Sequence, residues 1–283
     1  MFLNTVELTK QFGGLRAVEN MTIAVEQGKI TSLIGPNGAG KTTFFNCMTG
    51  TIPNTSGTTF FRGNPISRLK PYQIARLGIA RTFQNIRLFS AMTVMENVMV
   101  GRYIQHALPT VRTFLSALLR GKHFLEKEAA LKKKVMELLD FVGLIVNPAA
   151  SAQSLSYGDQ RRLEIARALA LEPTLLLLDE PAAGMNPKET EGLMILVGKI
   201  RQQGITPFLI EHNMKMVMGI SDHIIVLDHG VKIAEGTALT VQQHPKVIEA
   251  YLGRGSSGSG HSERSRPRRA RSPVGASGQG DRL

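Results

Sequence analysis

The run Gly35-Pro36-Asn37-Gly38-Ala39-Gly40-Lys41-Thr42 constrains this chain more than any other stretch. Its Gly-x4-Gly-Lys-Thr spacing lets a backbone close around phosphates, with N–H groups pointing inward. Such a loop works when a strand delivers it and a helix follows, because the helix N-terminus adds positive potential. Both are legible here: Lys29 to Ile34 reads as a buried strand, and Thr42 to Thr49 has helical spacing. In that setting Gly35, Gly38 and Gly40 supply the close approach, and Lys41 a point charge for the β- and γ-phosphates. Thr42 offers a hydroxyl to Mg²⁺, and Thr43 a donor to a phosphate oxygen.

A second feature belongs to the same chemistry. Leu175-Leu176-Leu177-Leu178-Asp179-Glu180-Pro181 is an apolar strand that delivers two adjacent carboxylates to the carboxyl edge of a sheet, where ligands bind in open α/β folds. Asp179 is expected to hold Mg²⁺ through water, and Glu180 to orient or deprotonate the attacking water as general base. A strand ending in Asp-Glu is by itself an ordinary solvated strand end; the phosphate loop gives it meaning.

The 283 residues, 42% of them hydrophobic, suffice for one large α/β domain. Phe2 to Val25 alternates as antiparallel strands do, with Met21, Ile23 and Val25 on one side. Between Tyr72 and Leu144 the pattern turns helical, and Leu131, Val135, Leu138, Leu139 and Val142 share a face. Short strand-like runs at Leu175 to Asp179, Thr206 to Glu211 and His223 to Asp228 alternate with helical stretches, which predicts a parallel sheet wrapped by helices. Asp228-His229-Gly230 predicts a hairpin turn into Val231 to Glu235.

Apolar stretches such as Leu193 to Val197 fall far short of the roughly 20 residues that span a bilayer. A single cysteine, Cys47, and the lack of a secretory pattern at the start predict a reducing, cytosolic setting. Net charge is +12, of which Gly253 to Leu283 carries +5, with seven Arg against Glu263 and Asp281. That tail is Ser-, Gly-, Arg- and Pro-rich and reads as disordered.

A third element, Leu155-Ser156-Tyr157-Gly158-Asp159-Gln160-Arg161-Arg162, opens a helical run Leu163 to Leu169. The order of phosphate loop, helical segment, Ser-x-Gly signature and carboxylate strand resembles the ABC family of ATPases. The resemblance implies a P-loop NTPase of the α/β class, with a parallel-sheet core, an N-terminal antiparallel β subdomain and an inserted helical subdomain at about 85–165. The ATP-binding domain would span residues 1–252 and the tail 253–283.

By the same resemblance, Ser156 and Gly158 at a helix N-terminus bind the γ-phosphate of ATP held by a second cassette. Gln84 falls in the loop that senses Mg²⁺ and water and contacts the membrane partner, and His212 in the switch that contacts γ-phosphate. Phe12 matches the aromatic that stacks on adenine; the alternative for it is a core position. Three residues depart from the commonest pattern: Tyr157 for a glycine, Asp159 for a glutamine, and Asn186 for the Asp of a loop that communicates between the two sites.

Ala80 to Phe89, the Tyr157 signature and Pro181 to Glu189 narrow the resemblance to the LIV type, the ATP-binding subunits of branched-chain amino acid importers. The stretch Gln105 to Glu128, with Val111 to Leu119 as an apolar helix, points to the longer of two such subunits. This implies a head-to-tail pair with a sister subunit or a second copy, two membrane permease subunits, and a periplasmic or extracellular binding protein reached through them. It also implies a peripheral place on the cytoplasmic face of a bacterial-type inner membrane. Three rivals stand at this point: an ATPase of another amino acid importer, a nucleic-acid-linked ABC ATPase suggested by the basic body and tail, and a regulatory ATP-binding subunit that hardly hydrolyses, against which Lys41, Asp179, Glu180 and His212 are all intact. Against the nucleic-acid-linked reading, one uninterrupted cassette is present, so no nucleic acid partner is expected.

Overall fold

The computed structural model describes residues 1–106 and 122–252. Two sheets organise it. Strands β1 (Leu3–Phe12), β2 (Leu15–Val25), β4 (Ser56–Phe61) and β5 (Asn64–Pro65) form an antiparallel sheet in the order β2-β1-β4-β5. The central sheet runs β10-β9-β3-β8-β7-β6, from β3 (Thr31–Ile34), β6 (Ile79–Arg81), β7 (Leu175–Asp179), β8 (Thr206–Ile210), β9 (His223–Asp228) and β10 (Val231–Gly236). All its pairings are parallel except the β9–β10 hairpin at the edge.

Among the described residues the α-helices are α1 (Lys41–Met48), α2 (Pro71–Arg76), α3 (Val94–His106), α4 (Lys122–Phe141), α5 (Tyr157–Leu169), α6 (Pro187–Gln202), α7 (Met214–Ile220), α8 (Ala238–Gln242) and α9 (Pro245–Leu252). Strand β7 is buried along its whole length, as expected for a parallel strand covered on both faces. Its leucines alternate between two apolar nuclei. Leu176 and Leu178 pack with Val98 of α3, Val135 and Leu139 of α4, Leu163 of α5 and Leu193 of α6. Leu175 and Leu177 pack with Phe44 and Phe45 of α1, Phe208 of β8, and Leu3, Val18 and Phe61 of the antiparallel sheet. A smaller nucleus joins Ile34 and β9 to Val217, Val241 and Val247 of α7–α9.

Several expectations hold and some need correction. Val135, Leu139 and Val142 are buried together, and the carboxylate strand and the His223–Asp228 strand have the expected limits. The strand expected from Lys29 begins at Thr31, because Gly28 and Lys29 lie in an exposed turn. The helical reading from Tyr72 to Leu144 fails at Ile79–Arg81, which is an edge strand paired with β7. Three residues are too few for a period to register; Gly78 before them, at φ 95, is the punctuation that marks the break. The Val111 to Leu119 segment and the tail from Gly253 lie outside the described residues.

Helix α1 is fixed from below by an edge-to-face contact of Phe45 with Phe208, centroids 4.9 Å apart. Phe208 is fully buried on β8, between β3 and β7. Phe208→Ala is expected to lower the unfolding free energy by about 3–5 kcal/mol, measured by denaturant titration.

Candidate active site

The sheet order places β8 between the strand that feeds the glycine loop, β3, and the strand that ends in carboxylates, β7. Three consecutive carboxyl ends therefore converge: Gly35 onward, Glu211-His212, and Asp179-Glu180. A cavity of about 600 Å³ opens there, lined among others by Phe12, Asn37 to Thr43, Gln84, Glu180 and Gly230.

The loop's shape is enforced by contact. Gly40 sits at φ 101, and a Cβ there would lie 2.2 Å from the Ala17 carbonyl oxygen, so only glycine fits. Gly40 also caps α1 without any side chain accepting from the helix, which leaves the first-turn amides facing the cavity. Lys41 is buried and spans the loop, its Nζ donating to the Gly35 and Pro36 carbonyls at 2.8 and 3.0 Å. Burial pulls its pKa down, while the Glu180 and Asp179 carboxylates push the other way. Thr42 and Thr43 line the cavity beside it.

Glu180 follows β7 in the left-handed region, at φ 47, an uncommon conformation for a non-glycine residue. Its amide donates to the Ile210 carbonyl at 2.9 Å. Its Oε2 accepts from Gln84 Nε2 at 2.9 Å and lies 3.7 Å from His212 Nδ1. Glu180 and Gln84 thus line the cavity together, and His212 stands beside Glu180. His212 is 54% exposed on its side chain, free to meet a ligand. Phe12 is 48% exposed and lines the same cavity, which removes the core alternative for it.

Asp179 is buried, with Oδ2 accepting from Arg81 Nη2 at 2.7 Å and Oδ1 left without a partner among the described residues. A buried, unpaired carboxylate oxygen is costly unless a cation or water completes it. Its place at the end of β7, beside the phosphate loop, fits a water-mediated Mg²⁺ contact, with Thr42 as a second oxygen donor.

Ser156 and Gly158 are placed elsewhere. Ser156 caps α5, its Oγ accepting from the Asp159 amide at 3.2 Å and donating to Asp159 Oδ2 at 2.8 Å. The two residues line a separate cavity of about 300 Å³ with Met185 and Glu189, and it shares no lining residue with the phosphate-loop cavity. Asn186 caps α6 in a reciprocal capping box with Glu189.

Sequence reasoning assigned no role to four groups that hold this geometry. Arg81 bridges Asp179 to α1, donating to Asn46 Oδ1 at 2.8 Å and Thr49 Oγ1 at 3.0 Å. Burial lowers its pKa, with Asp179 opposing. Glu211 is fully buried and accepts from the amides of Ala182 (2.8 Å), His212 (3.0 Å) and Asn213 (3.2 Å). Arg161 and Glu164 form a buried pair on α5 at 2.8 Å, and burial pushes the Glu164 carboxyl up against the pull of Arg161. The available signal was a charge adjoining an apolar run, which a solvated strand end shares.

A glycine loop on a central parallel strand, a pair of strand-end carboxylates beside it and a detached Ser-x-Gly signature define a nucleotide-binding cassette of the ABC kind. Comparison with known proteins agrees. The ABC transporter model matches residues 18–183, and a model for the branched-chain amino acid ATP-binding cassette transporter matches residues 231–256. The high-affinity branched-chain amino acid transport ATP-binding protein BraF of Pseudomonas aeruginosa is 47% identical over 247 residues, 87% of this chain and 95% of that protein. LivG of Escherichia coli, of the same description, is 46% identical over 248 residues, again 87% and 95%. A crystal structure of a nucleotide-free ATP-binding cassette from an ABC transporter superposes with TM-score 0.76 at 32% identity, covering 88% of this chain and 98% of that one. The chain belongs to the ABC transporter family, in the LIV-type branch of its ATP-binding subunits. It is therefore an ATPase of the P-loop class, and among the described residues no helix is long and apolar enough to cross a membrane.

Arg81→Ala strands Asp179 as a buried unpaired charge. It is expected to cost about 3–5 kcal/mol of stability, read from denaturant unfolding with and without saturating Mg²⁺-ATP.

Proposed function

We propose that this chain binds and hydrolyses ATP to energise import of branched-chain amino acids through separate membrane permease subunits. The observation that carries the hydrolytic part is that Glu180 and Gln84 line the cavity that Lys41 and the glycine loop open, with His212 Nδ1 3.7 Å from Glu180 Oε2. The names and extent of the relatives support the substrate class.

In this reading Phe12 stacks on the adenine, and the backbone from Gly35 to Gly40, including Pro36, Asn37, Gly38 and Ala39, wraps the phosphates. Lys41 and Thr43 neutralise and orient them. Thr42 and Asp179, with Gln84 nearby, would hold Mg²⁺, which when bound supplies charge neutralisation on the β- and γ-phosphates. Gln84 and His212 orient the water and the γ-phosphate, and Glu180 Oε2 takes the water's proton as attack proceeds. Glu180 is nearly buried, so water is excluded from most of its surface.

The Ser156–Gly158 signature opens on a different cavity from the phosphate loop. This supports a site finished in trans: two cassettes paired head to tail, each signature facing the other's ATP. The partner cassette is a sister subunit or a second copy. Two integral permease subunits receive the motion and a periplasmic or extracellular binding protein selects the amino acid, with this chain on the cytoplasmic face of the inner membrane. No nucleic acid is involved. In this reading the ATP-binding domain spans residues 1–252, with an inserted helical subdomain at about 85–165.

Glu180→Gln is expected to keep ATP binding, to stabilise the paired form and to lower turnover by at least about a hundredfold. Undiminished phosphate release by the assembled variant would remove Glu180 as base. Lys41→Ala is expected to lose nucleotide affinity instead, measured by titration with a fluorescent ATP analogue; unchanged affinity would contradict the loop assignment.

A further inference from the structure

We infer that the buried pair Arg161–Glu164 is a positioning device that ties the Gln84 loop to the signature helix, so that Gln84 and Ser156 move as one body. The inference rests on Gln84 acting at the reacting end, as read above.

Among the described residues Arg161 is the largest fully buried side chain, and it lies one turn into α5, the helix that Ser156 caps. Its Nη1 donates to the Phe83 carbonyl at 2.7 Å and to Glu164 Oε2 at 2.8 Å. Its Nη2 donates to the Gln84 carbonyl at 2.8 Å and to the Tyr157 hydroxyl at 3.3 Å. Glu164 Oε1 completes the grip, accepting from the Phe83 and Arg87 amides, both at 3.3 Å. The loop's backbone is thus held by two donors and one acceptor from a single helix, while its Gln84 side chain reaches Glu180.

A buried ion pair contributes little net stability compared with an apolar pair of the same volume. Its value here is directional: a planar guanidinium can bridge adjacent carbonyls only in one orientation. Helix α5 is stiffened by the burial of Leu163, Ile165, Ala166, Ala168 and Leu169. A displacement of Ser156, about 7.5 Å along the axis from Arg161, therefore displaces the Gln84 carbonyl with it. Tyr157 acquires a reason as well. Its hydroxyl meets Arg161, and its ring packs against Gly184, where a Cβ would lie 3.2 Å from Tyr157 Cε1. The glycine more usual at 157 could do neither, so the signature is also seated against the loop that follows Glu180.

The test is a double-mutant cycle in the complete transporter, the full chain with its partner subunits, comparing Gln84→Ala, Arg161→Lys and the double variant. Turnover, nucleotide affinity and thermal unfolding midpoint are measured on each preparation. Arg161→Lys keeps the charge but not the fork. It is expected to lower kcat about 10- to 100-fold with nucleotide affinity unchanged within about twofold. The double variant is expected to be no slower than the slower single variant, because both act through one loop. Multiplying effects, or a folded Arg161→Lys with wild-type kcat, would overturn the inference while leaving Gln84 in its role. Wild-type kcat in Gln84→Ala would overturn both. Should Arg161→Lys fail to fold, Glu164→Gln, which keeps the volume and one acceptor, carries the same comparison.

Discussion

The buried bridge between Arg81 and Asp179 is the interaction on which the rest of the site depends. Its guanidinium joins three pieces distant in sequence: the edge strand that leads into the Gln84 loop, the carboxylate strand, and helix α1 through Asn46 and Thr49. Without it the carboxylate would stand unpaired in a nearly dry environment. With it, one oxygen of Asp179 is spent on structure and the other remains available for chemistry. The phosphate loop, the carboxylates and the Gln84 loop therefore share one reference point.

Much of this architecture was legible because its chemistry uses extreme residue patterns. The glycine loop announces itself through residues that no other conformation demands, and four consecutive leucines before Asp179 leave little choice but a strand covered on both faces. The alternation of those leucines between two nuclei also explains why the helices must wrap both sides.

What escaped the sequence is of another kind. The edge strand Ile79–Arg81 is too short to show a period, and it exists because β7 offers it a ladder, a partner about a hundred residues away. Arg81, Arg161, Glu164 and Glu211 look like ordinary surface charges until the fold closes over them. Their function is to satisfy backbone and carboxylate groups that only the tertiary structure creates. Gln84, His212 and Phe12 were reached by resemblance rather than by physics; the cavity then grouped Phe12 with Gln84, and Glu180 grouped Gln84 with His212.

Glu211 carries a consequence for which chemistry can occupy its position. Its two oxygens receive three backbone amides, from the loop after Glu180 and from the turn that carries His212. A glutamine has the same shape but a single acceptor oxygen, and its NH₂ would confront an amide that also donates. An aspartate is one methylene too short to reach both loops at once. The fold thus reserves this position for one side chain out of twenty, though that side chain never needs to touch ATP.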